Sequence, residues 1–115
     1  MGMESTMMPD DSDPQAMRTQ RRFLYEVEQA IREANRDIIH QRIEKLDKAT
    51  FVRFAKIVAT HRAAYLAKAL ELSNHTMTEQ HMKELKVLRE HFEEARAAFD
   101  ALHRSIVRGY VDLAD

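Results

Sequence analysis

A chain of 115 residues with net charge −1, two glycines, two prolines and no cysteine excludes several classes at once. Disulfides, Fe–S clusters, cysteine-type zinc sites and thiol catalysis are ruled out, and turn-formers are too few for an all-β fold. No apolar run approaches the roughly 18 residues that span a bilayer, and no basic-then-apolar leader opens the chain, so the expectation is a cytoplasmic protein, away from membranes.

The near-zero charge conceals a pattern. Residues 1–13 carry Glu4, Asp10, Asp11 and Asp13 and no base, and residues 14–47 are close to neutral. Residues 48–75 set Lys48, Arg53, Lys56, Arg62 and Lys68 against Glu71 alone, whereas 76–115 are mildly acidic. Residues 1–12, polar and without periodicity, are expected to be a disordered acidic tail. Residues 13–115 are expected to form a single helical-bundle domain.

The first helix is predicted over 14–46. Asp13 can cap its amides, and Pro14 is tolerated at the first helical position. Leu24, Val27, Ile31, Ala34 and Ile38 form its apolar stripe, drifting into Ile39, Ile43 and Leu46, which is the behaviour of an ordinary 3.6-residue period. At Asp47 the pattern resets. Asp47 caps a second helix over 48–72, with Thr50 as the rival cap and a continuous helix as the alternative.

That second helix is apolar at sixteen of twenty-five positions, on more than one face. A helix of this kind needs partners on most sides and is expected to be the central element. Ser73-Asn74-His75-Thr76 reads as a loop, and Thr76 with Glu79 has the form of a capping box. The third helix is therefore predicted over 77–108, ending at Gly109 as a left-handed cap residue.

Leu85, Leu88, Phe92, Ala95, Phe99, Leu102 and Ile106 recur alternately three and four residues apart, an a/d seam that must lie against other helices. A hairpin centred near residue 75 sets Phe51 by Phe99, Ala55 by Ala95, Val58 by Phe92 and Tyr65 by Leu85. A turn at Asp47 would likewise set Ile43 by Phe51, Ile39 by Ala55 and Val27 by Leu66. The predicted fold is all-α: an antiparallel three-helix bundle with a coiled-coil-like hairpin of helices two and three, assembled as a homodimer.

The dimer expectation rests on length. A third helix of about 48 Å overhangs a second of about 37 Å by two to three turns. The overhang carries Leu102, Ile106, Val107, Tyr110, Val111 and Leu113, an apolar patch of the sort that marks association. The alternative is that the chain bends at Gly109 and covers its own bundle.

Chemistry is sparsely signalled. Glu-x-x-His, the di-iron bundle motif, is absent; Asp37-x-x-His40 with Glu44, and Asp100-x-x-His103, are the weak metal candidates. His61 and His91 are expected to meet across the hairpin seam, where a pH-sensitive contact is conceivable because paired imidazolium charges repel. Arg62, opposite Leu88, either snorkels to the surface or fixes register. Glycine phosphate loops and nucleophile elbows are missing, so no enzyme and no cofactor is expected.

Arg18, Arg21, Arg22, Arg53 and Lys56 are the candidate nucleic-acid residues, with Glu90, Glu93 and Glu94 expected to neutralise the helix-two bases instead. The functional expectation is a small interaction or scaffolding module — an adaptor, a regulatory subunit or a chaperone-like protein — that binds itself and a further protein partner. A nucleic-acid-associated regulator is the alternative, and a metal-binding bundle the third reading.

Overall fold

A computed structural model describes residues 13–114; the acidic tail expected over 1–12 lies outside the described residues. Three helices follow in order: α1 (Pro14–His40), α2 (Lys48–Leu72) and α3 (Glu79–Val107), with no strands among the described residues. Asp13 accepts from the Ala16 amide at 3.1 Å and Pro14 opens α1, as the sequence predicts. α1 ends at His40, short of residue 46. One further turn, with Ile43 N–H bonded to the Ile39 carbonyl, leads into an irregular segment.

Asp47 caps α2 through the Thr50 amide at 2.7 Å, which separates α1 from α2. α3 begins two residues later than the predicted Met77. Its cap is Thr78, whose hydroxyl accepts from His81 N–H while His81 Nδ1 accepts from Thr78 N–H. This is the capping-box exchange with imidazole in the place of a carboxylate or amide, so Thr76 and Glu79 do not form it.

α2 and α3 form the antiparallel hairpin that the register predicts. Phe51 stacks on Phe99 at 5.0 Å, with Phe54 edge-on to the same ring. Further along, His61 meets His91 at 5.9 Å, and Tyr65 stacks on Phe92 while lining a groove with Leu85. Near the turn, Lys68 bridges to Glu84 at 3.4 Å. Val58 and Leu72 are buried within α2, and Leu72 is the most enclosed side chain.

α1 packs on neither α2 nor α3, and no α1 residue is buried. The expected pairs Ile39–Ala55 and Val27–Leu66 are therefore not formed, Ile43 of the expected Ile43–Phe51 pair lies beyond the end of α1, and α2 is covered on one side only. The radius of gyration is 23.6 Å; a compact chain of this length has about 13 Å.

The overhang is also shorter than the sequence suggests. α3 has 29 residues against 25 in α2, an excess of about one turn rather than two to three. Gly109, at φ 77°, closes α3: Tyr110 N–H bonds Ser105 O and Gly109 N–H bonds Ile106 O, the paired bonds of a Schellman cap. The chain then turns back, and Leu46 pairs in parallel with Leu113 as a single bridge.

Candidate protein-interaction surface

The loop after α1 and the segment after α3 meet in a clasp. Leu46 N–H donates to Asp112 O and Ala114 N–H to Leu46 O, each at 2.9 Å. The amide bonds bring Leu46 and Val111 inside, at 7% and 5% exposure. Leu46 can be enclosed there because its N–H and C=O are both paired; buried main-chain polar groups are tolerated only when bonded.

Three side chains on successive turns of α1 reach into the clasp. Arg32 donates to the Arg108 carbonyl at 3.0 Å, and Arg36 to the Gly109 carbonyl at 3.1 Å. Arg36 also meets Asp112 at 2.6 Å, and His40 Nδ1 lies 3.3 Å from the other Asp112 oxygen. Cations suit the end of a helix, where unpaired carbonyls concentrate negative potential. The spacing 32, 36, 40 puts all three on one face, so the clasp fixes the direction in which α1 leaves the hairpin.

The rest of α1 is bare. Leu24, Val27, Ile31 and Ile38 are all exposed, Ile31 at 52% and Ile38 at 61%, with Phe23 beside them. α2 carries a second uncovered stripe on the side away from α3: Val52, Ala59, Ala63, Leu66 and Leu70, with Leu70 exposed at 70%. Lys56 lies in that stripe at the position that completes its three-and-four spacing. An exposed apolar surface of this extent is unusual for a solitary chain.

Charge around these stripes is unsatisfied. The ion pairs among the described residues are those of the clasp, Lys68 with Glu71 and Glu84, and Arg89 with Glu93. Glu90, Glu93 and Glu94 thus do not neutralise Arg53 and Lys56 as expected; Glu93 pairs along its own helix. Lys48, Arg53, Lys56 and Arg62 on α2, and Glu26, Glu28, Glu33 and Asp37 on α1, have no oppositely charged partner within 4.0 Å among the described residues. Arg62 lies over the Phe92 ring at 5.1 Å, a cation–π contact across the seam.

Three groups titrate away from their ordinary values. The Thr50 backbone amide, and then its hydroxyl, hold the Asp47 carboxyl down. Lys68 is raised, first by Glu71 and then by Glu84. Glu84 is lowered by the Gln80 amide and then by Lys68. All three stabilise the hairpin's ends; none sits on the bare stripes.

The residues singled out in the sequence disperse. Of the overhang, Leu102, Ile106 and Tyr110 are half-buried, Val111 is buried in the clasp, and Val107 and Leu113 are exposed. Ile106 and Leu113 line an open apolar groove of about 270 Å³ with Leu46, Phe51 and Ala114, flanked by Asp47 and Lys48. Arg18, Arg21 and Arg22 are exposed on the first turns of α1, on a different helix from Arg53 and Lys56.

The metal candidates on α1 and α3 could share a site only if α1 lay along α3, and it does not. Among the described residues no three histidine or carboxylate side chains gather as a metal set, and Asp37, His40, Glu44, Asp100 and His103 are not brought together. His40 belongs to the clasp.

The clasp itself is absent from the sequence reading. Its one local signal is the basic face at 32, 36 and 40; the carbonyl acceptors and Asp112 lie more than seventy residues away. No protein family, no characterised protein and no solved structure matches the chain. No helix among the described residues is long and apolar enough to cross a membrane.

Proposed function

We propose that this chain is a non-catalytic protein–protein interaction or scaffolding module that works as a homodimer. The observation that carries the reading is α1: a 27-residue amphipathic helix that buries no residue against its own chain. An apolar helical stripe left in water is stable only in company, since helical segments gain most of their stability from packing. The uncovered outer stripe of α2 adds a second surface of the same kind. An adaptor, a regulatory subunit or a chaperone-like protein would each use such surfaces.

Native mass spectrometry of the untagged protein near neutral pH tests this reading. The expected result is a dimer of the 13.5 kDa chain. A monomer across the micromolar range overturns the homodimer.

One observation favours a second reading, a nucleic-acid-associated regulator. Lys48, Arg53, Lys56 and Arg62 lack carboxylate partners among the described residues, which leaves them available to phosphates. Binding of mixed-sequence DNA that weakens steeply with added salt would support it, because phosphate contacts release counterions. Binding indifferent to salt, or none, rejects it.

A further inference from the structure

We infer that the outer face of α2 is the seat for α1 of a second copy of this chain, so that the dimer exchanges its first helices. The inference rests on the homodimer reading and adds which surfaces meet.

Three observations converge. First, the two bare stripes match in length and character. Leu24 to Ile38 on α1 spans about 21 Å, and Val52 to Leu70 on α2 about 27 Å. The α1 stripe carries large side chains at Leu24, Val27, Ile31 and Ile38. The α2 stripe is small at its centre, Ala59 and Ala63, and larger at its ends, so a bulky helix can approach closely in the middle.

Second, the charges beside the stripes are opposite. Arg32 and Arg36 are committed to the clasp, which leaves Glu28 and Asp37 flanking the α1 stripe, one on each side. Against them α2 offers Arg53, Lys56 and Arg62. Neither set has an ion-pair partner within its own chain among the described residues. Complementary flanking charges set the partner and register of paired helices.

Third, α1 is held off its own α2. To close the bundle within one chain, α1 would swing about residues 41–47. That movement breaks the bonds from Arg32 and Arg36 to the end of α3 and from His40 to Asp112. A second copy covers both stripes with every clasp bond retained. The antiparallel three-helix packing then forms twice, each time with α1 supplied by the partner and the two contacts related by a twofold axis.

The chain has no native cysteine, which gives a clean background for cross-linking. Ile31 and Ala63 lie near the centres of the two stripes, so they come close whichever way the helices run. We would prepare Ile31→Cys and Ala63→Cys singly and together, and treat them with a short bis-maleimide. Mixing the two single variants should give a cross-linked dimer in much higher yield than either variant alone.

A double variant that cross-links only within one chain, with no product from the mixture, overturns the exchange in favour of α1 closing on its own hairpin. Strong self-linking of Ile31→Cys with no mixed product overturns it in favour of α1 pairing with α1. A native dimer without the mixed product refutes this seat and leaves the homodimer standing; a native monomer refutes both. Independently, Glu28→Lys with Asp37→Lys should raise the dimer Kd at least tenfold, and adding Lys56→Glu with Arg62→Glu should restore much of it. No loss, or loss without restoration, counts against the charge pairing on which the seat depends.

Discussion

α1 and α3 are two amphipathic helices of nearly equal length, each opened by a side-chain cap, and they meet opposite ends. α3 lays its seam on α2 and half-buries every seam residue from Leu85 to Ile106. α1 lays its stripe on nothing. The difference lies in what joins them to the chain. A six-residue turn lets α3 fold straight back onto its neighbour, whereas α1 is tied by its arginines to the far end of α3. An apolar stripe therefore states that a helix needs a partner, and the connections decide whether that partner is the same molecule.

The sharpest way to break this comparison is at the packed helix. Phe99→Ala removes the ring that Phe51 stacks on and Phe54 abuts, and should cost about 3 kcal/mol, the low end for truncating a packed aromatic. Urea denaturation followed by circular dichroism measures it. Ile31→Asp on α1 should behave oppositely: the hairpin keeps its helicity, and the molecule shifts towards monomer in sedimentation, with a Kd raised by about a hundredfold or more. An equal loss of hairpin stability in both variants would erase the distinction between the two helices.

A smaller effect tests the tether. Arg36→Ala deletes the ion pair to Asp112 and the bond to the Gly109 carbonyl. Because Arg36 is more than half exposed, the stability loss should stay within about 1 kcal/mol. Amide exchange at Leu46 and Ala114 should nonetheless quicken, while that of Val58 does not.

The smallest effect is the pH response of the α2 cap. The Asp47 carboxyl is held below its ordinary value, so its contribution is complete above that value and is lost as pH falls below about 4. Asp47→Asn keeps a capping oxygen and should abolish that part of the acid dependence, read by amide exchange at Thr50. At the other end of the hairpin, Lys68 is raised and Glu84 lowered. Their bridge is accordingly present from the carboxylate range up to the lysine range and fades beyond either side.

Much of this was legible in advance. Asp47 and the polar run Ser73-Asn74-His75-Thr76 mark α2 at its two ends, and the hairpin register follows from aromatic residues whose partners lie at mirrored distances from one turn. Gly109 announces its left-handed turn because few other residues accept that backbone at low cost. The start of α3 was misread because His81 makes the reciprocal bond that Glu or Gln usually makes.

The end of α1 was misread for a different reason. Ile43 and Leu46 continue a helical spacing, yet Leu46 is apolar because the returning C-terminal segment covers it. Periodicity records burial without recording by what. For the same cause the sequence placed α1 along its own bundle: the acceptors that hold Arg32 and Arg36 are main-chain carbonyls, which carry no sequence signature.

The clasp has a kinetic meaning as well as a structural one. Its bonds join residues up to 76 positions apart, against the nearby contacts of the hairpin turn. Loop-closure entropy and contact order rank it among the late events in folding. A nascent chain thus completes its hairpin while α1 is still unaimed, and the last long loop to close gives the molecule its reach.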